Sequence, residues 1–424
     1  MSVQGNGKVP GSSRPRRLLL CLDGVPHELV IEARERGLFE KFQSPSRLLS
    51  PFPTLTNVAL SAMLRATPPN GYESLYFDTV NQELRGGVTK YIGRRTPDKV
   101  PSSYMEQLDY QEPLAFEFLV YVAPQMVWRA DMRRFRDQFL GASQQHDYFA
   151  FLKGTDGLLH IKGPAELFNA LKSLDSILCE IQKLCGNETE IVLFSDHGMK
   201  IGGQDRVHLK THLERQGFKF VSSLRQPERK TLTTPAFGLC GYTALYCDKQ
   251  EAPELASALL DLRGVDFSLY RSGPNLMVKG PEGTALVEQK QEGGEIFYRY
   301  TLSEGDPLRL TSICKQLRAA GKLDDDGFGH DREWLHYTAG HIYPDALANL
   351  YSSLLTNRVK HTADVLVSLR DGFYYGWSAF GRMVRLAATH GNALRASSDA
   401  FLMSTHRSLP EFVRADEARP LLRD

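Results

Sequence analysis

The chain reads as an α/β protein: a mostly parallel sheet sandwiched by helices, with an α+β cap inserted late. Three observations point there. Apolar strand-like runs at Leu18–Leu22, Tyr148–Leu152 and Ile191–Phe194 are each long enough for a strand buried on both faces. Each ends in a polar stretch containing an aspartate: Asp23, Asp156 and Asp196. Helical periodicity separates the last two, as expected of a parallel sheet with helical crossovers.

The elements follow in order. Arg17–Leu22 reads as a strand ended by Asp23-Gly24, and a helix carrying Leu29, Val30 and Ala33 then stops near Gly37. Leu48–Phe52 is short and apolar. The turn Pro51-Phe52-Pro53-Thr54 precedes a helix-like run, Asn57–Leu64, with Thr56 in position to cap it. Residues 72–145 carry weak signals, except for a helical pattern over Met126–Leu140. After the strand Tyr148–Leu152, Lys153–Asp156 reads as a loop. Pro164 then opens a helix with Leu167, Leu171, Leu174, Leu178 and Ile181 on one face, closed by Gly186. Glu190–Phe194 is the next strand. Residues 204–340 change to Gly-punctuated β-rich stretches, and Asp364–Ser368 reads as a return of the core pattern. The expected division is therefore a disordered tail at 1–16, a core at 17–203 and 341–424, and a cap at 204–340.

Bulk properties narrow the class. With 424 residues, 42% hydrophobic and 24% charged, the chain is long enough for a large core plus an insertion. The 51 basic and 50 acidic side chains nearly cancel, which argues against a general nucleic-acid or membrane-surface binder. The run Arg129–Arg134 reads as a solvated helix face. Six cysteines without a C-x-x-C pair read as reduced thiols and suit the cytoplasm. No secretory signal is legible before the first strand. Phe116–Trp128, the longest apolar stretch, is broken by Glu117, Pro124 and Gln125 and is too short to span a bilayer.

The chemistry concentrates at strand ends, where open α/β sheets place their ligand crevice. Phe194-Ser195-Asp196-His197-Gly198 sets a carboxylate beside an imidazole at such an end. Asp23, the Asp156/His160 pair and His390 in Thr389-His390-Gly391 are placed for the same crevice. Carboxylate with imidazole is zinc chemistry, and two such sets suit a two-metal site able to activate a phosphoryl group. Thr56 adds a hydroxyl at a helix start, where free N–H groups favour an anion.

In this order Asp23-Gly24, Phe52-Pro53-Thr54-Leu55-Thr56-Asn57, Thr155-Asp156-x3-His160, Ser195-Asp196-His197-Gly198-Met199 and Thr389-His390-Gly391 resemble the alkaline phosphatase superfamily. Within it the chain is most similar to type I phosphodiesterases and nucleotide pyrophosphatases. The resemblance covers roughly 17–200 and 340–405. It implies an alkaline-phosphatase-like fold and two divalent ions, zinc. One would be held by Asp156, His160 and His390, the other by Asp23, Asp196 and His197 with Thr56. Thr56 would be the nucleophile, forming a phosphoenzyme that water hydrolyses.

A phosphate-binding asparagine is not assigned: Asn57, Asn70 and Asn81 are candidates, and the Asn57 N–H is placed to hold a phosphoryl oxygen. The Asn57-Val58-Ala59 stretch departs from the family's Pro-Asn-His-like pattern. Arg65 could clamp a dianionic monoester. The expected substrate is a small phosphorylated molecule, with no nucleic-acid partner and no membrane span. Thr56, Val58 and Leu60 exclude a formylglycine sulfatase. A monoesterase, a phosphomutase or a non-catalytic ligand-binding member remain the alternatives.

Overall fold

The computed structural model describes residues 16–87, 100–113, 116, 119–120, 122–143, 146–376 and 385–423. Of the expected N-terminal tail, residues 1–15 lie outside the described residues, as do parts of the 116–128 apolar stretch. Arg16, assigned to that tail, is instead buried with its guanidinium over the Phe139 ring.

The chain is α/β, as expected. Its principal sheet has seven strands: β1 (Arg17–Leu22), β2 (Ser46–Leu49), β3 (Tyr110–Gln111), β4 (Tyr148–Leu152), β5 (Glu190–Ser195), β6 (Asp399–Ser404) and β7 (Phe412–Arg414), in the order β7-β2-β6-β5-β1-β4-β3. β1 runs parallel to both β4 and β5, pairing Leu20 with Ala150 on one side and with Leu193 on the other. β6 is antiparallel to β2 and β5.

Apolar residues are continuous along the central strands because both faces are covered. Leu18, Leu20, Leu22, Ile191 and Leu193 face one core, under helices α1 (His27–Glu35), α3 (Pro124–Gly141), α4 (Gly154–Lys162) and α5 (Pro164–Cys185). Leu19, Cys21, Phe149, Val192 and Phe194 face the other, against Leu60, Met63 and Leu64 of helix α2 (Thr56–Met63) and its C-terminal end. The α5 helix begins and ends as its sequence signals dictate, with Pro164 at its first turn and Gly186 just past its end.

Among the described residues a second sheet of nine strands holds the β-rich region. Here one expectation is corrected. The run Val365–Leu369 does not rejoin the principal sheet: it lies antiparallel between Tyr242–Cys247 and Val265–Ser272 in the second. A short, fully apolar strand carries no periodic mark of which sheet it belongs to. The chain returns to the principal sheet at β6.

One further correction concerns Lys153–Asp156, read as a loop. Helix α4 starts at Gly154, so Asp156 and His160 stand one turn apart on one helix. Two glycines lower its intrinsic propensity, but close packing calls for them. A Cβ on Gly154 would lie 3.0 Å from Trp128, and one on Gly157 2.3 Å from Val120.

Candidate metal centre

Every strand end singled out in the sequence delivers its side chain to one place. Asp23 leaves β1 with its N–H bonded to the Leu152 carbonyl of β4 (3.0 Å), which aligns the two strand ends. Asp196 and His197 leave β5 next door. Gly198 then lies so close to the Ala396 and Asp399 carbonyls that a Cβ would sit 2.4 and 2.7 Å from them, which explains the glycine of this tripeptide. His390 returns from far along the chain because Ala388–Thr389 forms a two-residue ladder with Lys200–Ile201, just beyond His197.

The result is two triads: Asp156, His160 and His390, and Asp23, Asp196 and His197. In each, the ligand atoms lie within 4.8 Å of one another. His160 Nε2 is 3.2 Å and His390 Nε2 3.6 Å from Asp156 Oδ1. His197 Nε2 is 3.5 Å from both Asp23 Oδ1 and Asp196 Oδ2. The His197 and His390 rings stack with centroids 4.0 Å apart, joining the triads. All six side chains are buried.

Hydrogen bonding fixes which nitrogen points inward. His160 Nδ1 donates to the Ala388 carbonyl (2.7 Å), His390 Nδ1 to the Thr54 carbonyl (2.7 Å) and His197 Nδ1 to the Gly198 carbonyl (2.9 Å). A carbonyl oxygen only accepts, so each Nδ1 carries a proton and each ring turns its Nε2 to the centre. Opposite those nitrogens, the buried Asp156 Oδ1 and Asp196 Oδ2 have no hydrogen-bond donor. Where His197 and His390 stay neutral, their Nε2 lone pairs face carboxylate oxygens at 3.5–3.6 Å with no proton between them, and such pairs repel. Divalent cations would resolve that conflict, and oxygen with imidazole nitrogen is a donor set that suits zinc.

The two triads differ electrically. Burial pushes Asp196 up to about 6, against the opposing pull of the Gly24 N–H on Oδ1 (3.1 Å). Burial, together with the neighbouring charges of Asp196 and Asp156, raises Asp23 well above the carboxylate range. For Asp156, burial also pushes upward, but the His160, His390 and His197 imidazoles outweigh it and hold the carboxyl below its usual range. Burial lowers His197 to about 4 and, with the adjacent His197 ring, His390 to about 3, keeping both neutral. Burial would lower His160 too, but Asp156 prevails and raises it.

Thr56 is the first residue of α2, not its cap: Leu55 occupies the cap position. Its hydroxyl is therefore not spent on the helix. It donates to Asp23 Oδ1 (3.2 Å) and lies 3.4 Å from His197 Nε2. Asn57 follows, its Oδ1 accepting from the Tyr104 hydroxyl (2.8 Å), which turns its amide nitrogen the other way.

Two residues weighed for substrate contact are placed elsewhere. Arg65 follows the end of α2, nine residues from Thr56, or about 13 Å along a helix. The expectation had put both on one helix end. Asn81 sits in an exposed hairpin turn, where its amide donates to Asp78 Oδ2 (2.7 Å). Thr54, by contrast, was not singled out. Its carbonyl orients His390, and its hydroxyl accepts the Gly391 N–H (2.9 Å) and donates to the Asn392 carbonyl (3.1 Å). Only its place between Pro53 and Thr56 could have signalled that role.

A family model described as Type I phosphodiesterase / nucleotide pyrophosphatase matches residues 73–273, which hold Asp156, His160, Asp196 and His197. The match supports phosphoric ester hydrolysis as the class of activity. No curated protein matches significantly. Human ectonucleotide pyrophosphatase / phosphodiesterase 5 is 11% identical over 96% of this chain and 93% of its own, with a TM-score of 0.50. Phosphonoacetate hydrolase from Sinorhizobium meliloti 1021, solved with phosphonoformate, is 14% identical over 100% and 98%, with a TM-score of 0.49. The chain thus has the alkaline-phosphatase-like fold, and over residues 73–273 its sequence is similar to type I phosphodiesterases and nucleotide pyrophosphatases. Among the described residues no helix is long and apolar enough to cross a membrane.

Proposed function

We propose that this chain is a two-metal hydrolase of phosphoric esters, of the phosphodiesterase or pyrophosphatase type, with Thr56 as nucleophile. One observation carries the reading: two buried triads turn imidazole Nε2 and carboxylate oxygen atoms toward a common centre, beside the hydroxyl of Thr56. Asp156, His160 and His390 would hold one zinc ion, and Asp23, Asp196 and His197 the other, with Thr56 as the latter's fourth partner. When bound, the ions would supply Lewis-acid polarisation of the phosphoryl oxygens and of the attacking hydroxyl.

The chain's own groups do the rest. Asp23 receives the Thr56 hydroxyl hydrogen bond and aims Oγ1 toward the crevice. Attack by Oγ1 on phosphorus forms one P–O bond and breaks that to the leaving alcohol, which takes up a proton. Water then attacks the Thr56 phosphoester from the opposite side and restores the hydroxyl. The Asn57 N–H, at the start of α2, is available to a phosphoryl oxygen.

Arg65 at the far end of α2 is out of reach as a clamp for a dianionic monoester, and this favours a diester substrate over a monoester or phosphomutase substrate. A small phosphorylated molecule is the substrate we infer, and reduced cysteines point to the cytoplasm. The test is turnover of bis-p-nitrophenyl phosphate against p-nitrophenyl phosphate on zinc-loaded protein. Faster diester turnover is expected. Preference for the monoester would overturn the diester reading, and no turnover of either would leave a ligand-binding role in its place.

A further inference from the structure

Away from the triads, a cleft of about 450 Å³ opens between the far side of α2 and the second sheet. Leu49, Val58, Ala62 and Tyr298 contribute to its walls, and Arg358 reaches into it. Its other inward-facing charges are already engaged with one another. Arg414 lies between Asp331 and Asp345, each contacted at 2.5–2.7 Å. At the rim, Arg65 and Asp416 are exposed and opposite in sign.

Arg358 is the exception. Its Nη1 donates to the Phe52 carbonyl (2.8 Å), the Asn349 carbonyl (2.9 Å) and Asn349 Oδ1 (2.8 Å), all neutral acceptors. Among the described residues it has no ion-pair partner, and its Nε and Nη2 have no acceptor. Burial pushes its pKa below the usual arginine value, and the nearby Asp416 and Asp345 charges offset this only in part, without contacting the guanidinium. Arg358 is half-buried, and a guanidinium with two donors free in a cleft is matched by a carboxylate or phosphate. Here the open edge of the fork faces a cleft.

We propose that this cleft is a second binding site, separate from the metal centre, for a small oxyanion on an apolar body, with Arg358 Nε–H and Nη2–H as the fork that holds it. The oxyanion is a carboxylate or a phosphate, both of which match the fork. The site also reaches the active loop. Arg358 and Asn349 grip Phe52 from both sides, with the Phe52 N–H bonded to Asn349 Oδ1 at 2.7 Å. Two residues on, Thr54 holds His390, and two more on stands Thr56. An anion on Nε and Nη2 would therefore sit on the same guanidinium whose Nη1 anchors the nucleophile's loop.

The test is calorimetric titration of the zinc-loaded full chain with sodium hexanoate and, separately, with hexylphosphonate. Saturable binding of either probe below about 10 mM is expected, and whichever binds tells carboxylate from phosphate. Arg358→Gln should weaken it at least ~10-fold. Ala62→Leu, which fills the cleft without touching Arg358 or the triads, should do the same and carries the test if Arg358→Gln does not fold. Asp196→Ala should leave binding intact. The proposal is overturned by no saturable binding of either probe, by binding that survives Ala62→Leu, or by binding lost only with Asp196→Ala, which would place the signal at the metal centre.

Discussion

The two triads use the same residue types and arrive at opposite electrical states. Asp156 faces three imidazoles, with His160 one helical turn away, and its charge is favoured. Asp23 and Asp196 share one imidazole between two buried carboxylates, and both are pushed toward protonation. The first triad is close to self-compensated without a cation; the second opposes itself. The difference teaches that a cation matters more to the fold at the second triad, and that proton and metal compete there most directly.

The largest expected effect lies where the triads meet. Thr56→Ala should lower hydrolysis by about 10³-fold or more, since nucleophile and metal partner go together. Turnover within ~10-fold of the parent, measured with bis-p-nitrophenyl phosphate, would remove the covalent route. Next, Asp156→Ala and Asp196→Ala should each lose one equivalent of zinc while keeping the folded far-ultraviolet spectrum. Equal loss of both ions in either variant would show one coupled cluster and break the comparison.

The comparison is sharpened by pH. Asp196 sits at about 6 in the fold, above an ordinary aspartate near 3.9. The metal-free fold therefore binds more protons than the unfolded chain across that window. Its contribution to stability is fully present below about pH 4 and is lost as pH rises through 6. Zinc should accordingly raise the melting temperature more at pH 7.5 than at pH 5. An equal gain at both values, measured by scanning calorimetry, would contradict the assigned burial of that carboxylate pair. The smallest effect is steric. Gly157→Ala places a Cβ 2.3 Å from Val120 and should destabilise the metal-free protein by ~1–3 kcal/mol, read as a shift in the denaturant midpoint.

What the sequence made legible follows from where information is local. Each ligand sits at the end of an apolar run or within a short motif, so Asp23, Asp196 and His197 could be read from strand ends alone. The helix Pro164–Cys185 announced itself through five periodic apolar residues and two terminal signals. Other features depend on distant partners. Helix α4 hides behind Gly154 and Gly157, whose presence makes sense only against Trp128 and Val120. The strand Val365–Leu369 looks the same whichever sheet takes it. Thr54 acts through its carbonyl on His390 and through its hydroxyl on Gly391 and Asn392, partners more than 330 residues away that a local reading does not reach. Arg65 was misplaced although the end of α2 was legible, because nine helical residues carry it to the opposite end from Thr56, and Arg358 gave no signal because its free donors are a property of the folded cleft.

The central claim is that six side chains from four distant segments converge on two cations. Its most direct measurement is zinc content by atomic emission on protein purified without chelator, for the parent, Asp156→Ala and Asp196→Ala. The account predicts two equivalents in the parent and one in each variant. Protein that binds no stoichiometric metal, or variants that both retain two equivalents, would contradict it.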